Sequence, residues 1–327
     1  MKTETKTEAK PLYRERDGVC SRGLLFLGQK DLAFFDLATA IKYANMFRHY
    51  YGLDAADIHG GEPTEYEWIV PLVEHCSRIG LRPTLISSGQ GDIARILAIE
   101  DAGLDDWLIS IHGGTAESHD AILGNAGSFE KLIASLDLVG RPVRFSTTIQ
   151  RKNLGALPID LLLDQPPTVW NPTVLPGEFD PIAEGVTNGE AAEALAPAIE
   201  RLEAAGWEVN VRYFPLCVAE QYGFAENVSG FYQIPFDPWE WRLNVTTRRP
   251  LEAIARDGGW YESERIRAAE SVRSRANDVC DPCSMRPICD GPTNQYQKAI
   301  GLEELIPYTG EPITDPLHFQ NRRGLRR

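Results

Sequence analysis

Six alternations of strand and helix patterns between residues 23 and 174 constrain the fold of this chain more than any other feature. Short apolar or β-branched runs alternate with segments whose apolar residues recur at helical spacing. This alternation predicts an α/β fold in which right-handed helical crossovers join parallel strands that are buried on both faces. The predicted strands are 23–28, 56–59, 82–88, 106–113, 143–149 and 168–174. The helices predicted among them are 35–51, 66–76, 92–102, 128–139 and 154–163.

The second of these strands ends in a corner made of two glycines and a carboxylate. Gly60 and Gly61 permit backbone angles, and a close approach, that a Cβ atom would forbid. Glu62 follows at the carboxyl end of the strand, where α/β sheets bind their ligands. Pro63 and Thr64 predict the start of a helix, with Thr64 as its cap. The corner therefore offers backbone amides and one acceptor to a small polar ligand.

The string Gly60-Gly61-Glu62-Pro63-Thr64 resembles the glycine-glycine-glutamate element of the radical S-adenosylmethionine (radical SAM) superfamily. In that family the element holds the amino group of the methionine moiety. The strand ends at 85–89 and 108–113, and then the stretch 119–129, follow in the order and spacing of the same family. The resemblance runs from about residue 15 to about residue 155 and implies a partial (β/α)6 barrel.

The resemblance also implies a cofactor site at the carboxyl ends of the barrel strands, with S-adenosylmethionine as the candidate ligand. The alternative for Ser110 and His112 is a satisfied polar pair that caps a strand. The residues to which the resemblance assigns cofactor binding are Phe26, Gly60, Gly61, Glu62, Pro63, Ser88, Ser110 and His112.

Three of the six cysteines lie within ten residues, in the pattern Cys280-x2-Cys283-x5-Cys289. Soft thiolates at this spacing bind zinc or an iron–sulfur cluster. A tetrahedral site needs a fourth ligand, for which Cys217 is the candidate. The set resembles the auxiliary-cluster extensions, called SPASM or twitch domains, that follow many radical SAM barrels. The resemblance implies one auxiliary [4Fe–4S] cluster, with a zinc site or buried structural thiols as the alternatives.

The beginning of the chain departs from the radical SAM pattern. The family carries Cys-x3-Cys-x2-Cys after the first strand, and these three thiolates hold the catalytic [4Fe–4S] cluster. Counting from Cys20, the partner positions hold Leu24 and Leu27. Aligned on Phe-Leu-Gly instead, the three positions hold Gly18, Arg22 and Leu25. Leucine has no lone pair to donate, and a charged cluster buried beside leucines would be costly. The sequence therefore predicts a degenerate core-cluster site, and catalytic residues cannot be assigned.

Composition limits the class of partner. A net charge of −14 argues against a nucleic-acid partner, because such a chain repels phosphate backbones. The sequence has no run of about 18 apolar residues, which argues against a membrane span. We expect a cytoplasmic protein, in which clustered cysteines indicate metal rather than disulfides.

The chain is expected to divide near Gly206. Thr187 and Glu190 predict a capping box for a helix through Ala205, and residues 207–213 predict a further strand. The expected divisions are a disordered tail at 1–14, a barrel at 15–206, an auxiliary-cluster domain at 207–320 and a basic tail at 321–327.

Three functional hypotheses remain at this point. The first is a radical SAM-like barrel with an auxiliary cluster and a degenerate core, which binds S-adenosylmethionine or its substrate without radical chemistry or partners an active paralogue. The second is an active enzyme with altered core ligands, in which the aromatic stretch 231–241 covers the barrel mouth or packs as interdomain core. The third is a zinc-stabilised binding module. The substrate is expected to be a small polar molecule or a peptide.

Overall fold

A computed structural model describes residues 22–26, 28–29, 32–33, 36–50, 52–139, 141–174, 185–230, 232–233, 242–243 and 277–323. Within these ranges, ten strands form one sheet in the order β11-β10-β8-β7-β6-β5-β4-β1-β12, with β9 beside β8. Every strand pairing described in this sheet is parallel. The strands are β1 Arg22–Phe26, β2 Gly28–Gln29, β3 Leu32–Ala33, β4 Ala55–His59, β5 Arg82–Ser87, β6 Asp106–Ser110, β7 Arg144–Ile149, β8 Val169–Val174, β9 Glu208–Val209, β10 Val211–Arg212, β11 Val228–Ser229 and β12 Arg242–Leu243.

The six strands predicted from the sequence are β1 and β4 to β8, and they lie side by side in chain order. Strands β2 and β3 form a separate antiparallel pair. Consecutive parallel strands joined by helices make the partial (β/α)6 barrel, so the predicted fold class is confirmed. The helices are α1 Leu37–Asn45, α2 Ile69–Arg78, α3 Ile93–Asp101, α4 Ala116–Leu123, α5 Ser128–Leu136, α6 Ile159–Leu163, α7 Asn188–Ala204, α8 Leu216–Gln221 and α9 Asn294–Ala299.

The two faces of the sheet differ in polarity. The helix-covered face carries apolar, buried residues in two in-register rows: Ile58, Leu85 and Trp107 form one, and Ile109, Phe145 and Trp170 form the next. Alternation places polar residues on the opposite face. On this polar face, at the amino-terminal ends of β6 and β7, the Arg144 guanidinium lies 2.6 Å from the Asp106 carboxylate. Both side chains are 1% exposed. Nearer the carboxyl end, Arg212 donates to the side chains of Asn171 and Ser229. The polar face therefore provides a hydrogen-bonding interior.

Several element boundaries differ from the prediction. The helix expected at 154–163 covers only α6, because Asn153 closes a turn in which its side chain accepts from the amide of Gln150. Helix α4 was not predicted, since its apolar pattern is weak and its start depends on the capping box of Thr115 and Ser118. The strand expected at 207–213 is two short strands, β9 and β10. Helix α7 follows its predicted capping box and continues through Pro197.

The carboxyl-terminal segment 277–323 packs at the carboxyl ends of the parallel strands. The Gln233 side chain donates to the carbonyl of Ile288 at 2.9 Å. The Glu304 carboxylate accepts from the first amides of α7, at 3.1 Å from Asn188 and 2.9 Å from Gly189. The sheet itself continues past Gly206 through β11, so the division there stays a prediction. Every helix in the described part of the chain is too short or too polar to cross a bilayer.

Candidate functional site

The glycine corner after β4 is organised around the Glu62 carboxylate. Gly60 and Gly61 have φ angles of 109° and 58°, as expected from the sequence, and a side chain would be strained at either position. The carboxylate accepts five hydrogen bonds, from the backbone and hydroxyl of Thr64, the hydroxyl of Ser87, and the backbone and hydroxyl of Ser88. It therefore ties the carboxyl end of β5 to the corner after β4.

This geometry corrects two expectations for the corner. Thr64 is not a helix cap: it is fully buried, and its hydroxyl donates to Glu62 at 2.6 Å. Pro63 opens a short 3-10 turn, Pro63–Glu65, which Glu62 caps, and α2 begins only at Ile69. The cause is that Glu62, one residue before the proline, accepts a hydrogen bond from the backbone N–H of Thr64. That N–H would have no partner within the helix if Thr64 were the helix cap. Ser88 follows β5 at the barrel mouth, the region at the carboxyl ends of β4 to β7, and its hydroxyl is 2.5 Å from Glu62.

Beyond β6, His112 is held by backbone groups. Its Nδ1 accepts from the amide of Thr148 at 3.2 Å, and its own amide donates to Nδ1 of His119 at 3.1 Å. The two imidazole rings stack with centroids 5.8 Å apart. The side-chain amide of Asn153 donates to the backbone carbonyls of His112 and Thr148 at 2.6 and 2.7 Å. Burial, and secondarily His119, lowers the pKa of His112 to about 4.

Ser110 lies at the same mouth. Its hydroxyl is 3.3 Å from that of Ser146, its register partner on β7, and both residues are half-buried. Ser110 and His112 are thus not bonded to each other; each has its own partner on or after β7. The mouth offers half-buried hydroxyls and one imidazole at the carboxyl ends of adjacent strands, which suits a polar small-molecule ligand.

The four cysteines proposed as metal ligands line one cavity. Cys217 lies in the first turn of α8, after β10, whereas the other three lie in the loop before α9. The cavity measures about 340 Å³ when the space open to solvent is included. Its wall is formed by Pro215, Cys217, Cys280, Cys283, Met285, Arg286, Cys289, Gly291, Pro292 and Leu305. The chain therefore brings together the distant cysteine and the late trio.

Backbone amides point at two of these sulfurs. The amides of Leu216 and Gly291 donate to Sγ of Cys289 at 3.4 and 3.3 Å, and the amide of Tyr308 donates to Sγ of Cys283 at 3.3 Å. Burial, followed by the other thiols, raises the pKa of Cys217, and burial raises the pKa of Cys289 to about 12. Four thiolates gathered here would repel one another, so their common ionisation requires a cationic centre.

The thiols and the cavity fit a metal group by the chemistry of their donors. In the described ranges, no three His, Cys, Asp or Glu side chains are arranged to hold a single metal ion. Cys76, by contrast, is fully buried on α2 within the apolar core, as the sequence indicated.

The side chains at the expected core-cluster positions lie outside the described residues. Gly18, Cys20 and Leu27 lie outside the described residues, and so do the side chains of Arg22, Leu24 and Leu25. For Phe26, assigned to cofactor binding by resemblance, the backbone alone is described; it pairs with His59 at the carboxyl end of β1. Of the aromatic stretch 231–241, only residues 232–233 are described.

Sequence reasoning missed several residues that shape the site. Ser87 shares Glu62 with Ser88, and alternation along β5 gave no reason to expect that both serines reach one carboxylate. Asn153 joins the ends of β6 and β7 from a position just before the helix that was predicted at 154–163. The amide donors to sulfur leave no sequence signal, since every residue but proline carries one.

The fold and the site define a class of protein: a parallel α/β half-barrel that has polar side chains at the carboxyl ends of its strands and a thiol-lined cavity beside them. No family model matches the chain. PqqA peptide cyclase from Methylocella silvestris is 38% identical over 106 residues, which are 31% of this chain and 28% of that protein. The same enzyme from Rhizobium meliloti is 35% identical over 104 residues, with 31% and 28% covered. AdoMet-dependent heme synthase from Methanosarcina barkeri is 29% identical over 101 residues, with 30% and 29% covered.

Among solved structures, Streptococcus suis SuiB bound to S-adenosylmethionine has a TM-score of 0.57 at 13% identity, covering 90% of this chain and 74% of that one. SuiB bound to its precursor peptide SuiA has a TM-score of 0.56 at 14% identity, with 91% and 76% covered. These likenesses concern the fold. The sequence relatives, which match about a third of this chain, and these folds together support a radical SAM superfamily protein.

Proposed function

We propose that this chain is an iron–sulfur protein that carries one auxiliary [4Fe–4S] cluster on Cys217, Cys280, Cys283 and Cys289. The single observation that carries the proposal is that four thiols from two distant segments line one cavity. Ligation by four cysteine thiolates is the usual coordination of such clusters, which supply electron transfer. Amide hydrogen bonds to Cys283 and Cys289 would stabilise thiolate charge. A cluster is proposed ahead of zinc because the thiols lie beside a barrel with the fold of radical SAM proteins.

The barrel mouth is the proposed site for S-adenosylmethionine. Gly60 and Gly61 turn the backbone toward the carboxyl ends of the strands, and Glu62 holds that turn against Ser88. Ser110 and His112 add polar groups at the next strand end. In this arrangement the backbone of the corner and the half-buried side chains contact the ligand, while the carboxylate orients them.

The core-cluster site is proposed to be degenerate, because Cys20 supplies the one thiolate left in its motif. Reductive cleavage of S-adenosylmethionine depends on that cluster. The protein is therefore proposed to bind S-adenosylmethionine without forming a radical, in the cytoplasm. An active paralogue as its partner stays a prediction from the sequence.

The proposed substrate class is a peptide rather than a small polar metabolite. Two findings support it: the relatives named PqqA peptide cyclase, and the SuiB structure bound to its precursor peptide. The chain matches only 28% of the length of the first relatives, so their activity extends to this chain as a proposal.

A cysteine variant tests the metal site. Cys283→Ala should remove most of the iron from protein purified without oxygen, because three thiolates bind the cluster far more weakly than four. Cys76→Ala, which changes a thiol in the apolar core, is the matched control and should retain its iron. Iron that survives Cys283→Ala would contradict the site.

Incubation with S-adenosylmethionine and a strong reductant tests the degenerate core. Unchanged S-adenosylmethionine is expected, whereas release of deoxyadenosine would establish an active enzyme with altered ligands. A colourless protein that contains zinc would instead favour the zinc-stabilised binding module.

A further inference from the structure

His112 is oriented from several directions at once. Its ring lies against that of His119, which is fully buried, and its backbone donates to that ring. Asn153, also fully buried, fixes the carbonyls on both sides of the contact between His112 and Thr148. The imidazole therefore has little freedom to rotate or to withdraw from the mouth.

The hydrogen bond from Thr148 determines the tautomer of the ring. A backbone N–H is always a donor, so Nδ1 of His112 must be unprotonated to accept it. A neutral imidazole with a bare Nδ1 carries its hydrogen on Nε2. Nε2 has no hydrogen-bond partner in the described part of the chain, and the ring is half-buried. The side chain thus presents one N–H donor at the carboxyl end of β6.

The same hydrogen bond argues against two other roles. To act as a general base or as a metal ligand, Nε2 must expose its lone pair, which moves the hydrogen to Nδ1. Two hydrogens would then face each other where Thr148 now donates to Nδ1. Either role would cost the backbone hydrogen bond that holds the ring in place.

We propose that His112 is a fixed, neutral hydrogen-bond donor that recognises an oxygen atom of S-adenosylmethionine at the barrel mouth. The inference rests on the proposed binding site and adds a defined role for one of its residues. The lowered pKa of His112 agrees with it, because a ring with a pKa of about 4 is neutral near pH 7. His112 is accordingly a specificity residue and not a proton-transfer group.

Two substitutions separate the donor from the acceptor of the ring. His112→Asn places an oxygen near the position of Nδ1, so it keeps the bond from Thr148 and loses the donor. His112→Gln reaches the position of Nε2 with an amide N–H. Isothermal titration with S-adenosylmethionine should show about tenfold weaker binding by the asparagine variant, the value of one hydrogen bond, and partial recovery in the glutamine variant.

Equal affinity of wild type and His112→Asn would overturn the inference and leave the S-adenosylmethionine site standing. Failure of the wild type to bind would instead overturn the proposed site, and the inference with it. An independent readout is the long-range ¹H–¹⁵N spectrum of histidine-labelled protein at pH 7. A neutral ring protonated on Nε2 supports the inference; hydrogen on Nδ1, or an imidazolium, contradicts it.

Discussion

The barrel mouth and the cysteine cavity use their polar groups in opposite ways. At the mouth, the Glu62 carboxylate already accepts five hydrogen bonds from its own chain, and His112 is held by a backbone amide. In the cavity, four thiols line one empty volume, and backbone amides are aimed at two of the sulfurs. The carboxylate of the mouth is thus saturated within the chain, whereas the cavity gathers four thiols from two segments.

This difference indicates that the mouth is suited to position a small molecule, whereas the cavity is suited to coordinate a metal group. A saturated carboxylate holds backbone groups in place for a small molecule and gains little from a new partner. The buried thiols of Cys217 and Cys289 have raised pKa values, and a metal group would compensate the charge of their thiolates. The comparison leads to predictions that treat the two regions separately.

Metal removal should have the largest effect and should be confined to the cavity. Binding of a structural metal is worth about 10–16 kcal/mol in zinc fingers, and that free energy contributes to folding. Removing the metal should accelerate hydrogen exchange of the amides of Leu216, Gly291 and Tyr308. The amide of Ser88, which donates to Glu62, should exchange as before. Equal acceleration in both regions would contradict the comparison.

Glu62→Gln should lower the free energy of unfolding of the protein by about 2–4 kcal/mol. A glutamine offers one acceptor oxygen, and its NH2 group would face the amide and hydroxyl of Ser88, which are donors. Urea unfolding measures the loss, and titration should show weaker binding of S-adenosylmethionine. Glu65→Gln, at an exposed carboxylate in the same turn, is the control and should change stability by less than about 0.5 kcal/mol. Iron content should be unchanged in both variants.

A smaller effect is expected for His112 and pH. Its folded pKa of about 4 lies below the unfolded value of about 6.5, so the unfolded chain takes up the proton first as the pH falls. The stability contributed by the neutral ring is complete above about pH 6.5 and declines toward pH 4. Between pH 7 and pH 5 the wild type should lose about 2 kcal/mol more than His112→Asn, measured by denaturant unfolding at each pH. Parallel stability curves would show that His112 is not buried as a neutral ring.

The smallest effect is expected from a single amide in the cavity. Tyr308→Pro removes the N–H that donates to Cys283, which should lower the reduction potential of the proposed cluster by on the order of 20–40 mV. Tyr308→Phe keeps the amide and should match the wild type. A potentiometric titration checks both, and equal shifts in the two variants would point to the side chain instead.

The sequence predicted the architecture better than the details of the site. Periodicity located the six barrel strands, because a strand buried on both faces needs a continuous apolar run. Residue spacing predicted the corner and the cysteine set, and Cys217 does lie beside the late trio. The saturation of Glu62 was not predictable, since it depends on two serines that are brought near only when β4 and β5 pair.

The start of α2 shows why boundaries were less predictable. Pro63 and Thr64 gave a strong local signal for a helix, but Glu62 turned that signal into a short 3-10 turn. No sequence pattern indicated the role of Asn153, because its side chain donates to the carbonyls of His112 and Thr148, which lie in other elements of the fold. Tertiary hydrogen bonds, rather than local propensity, decided both cases.

Counting metal in wild-type protein purified without oxygen tests the central claim most directly. About four iron and four sulfide per chain, with little zinc, are predicted for one cluster on Cys217, Cys280, Cys283 and Cys289. About eight iron per chain would require a second cluster at the amino-terminal motif, and stoichiometric zinc without iron would replace the cluster altogether; either result would contradict the account.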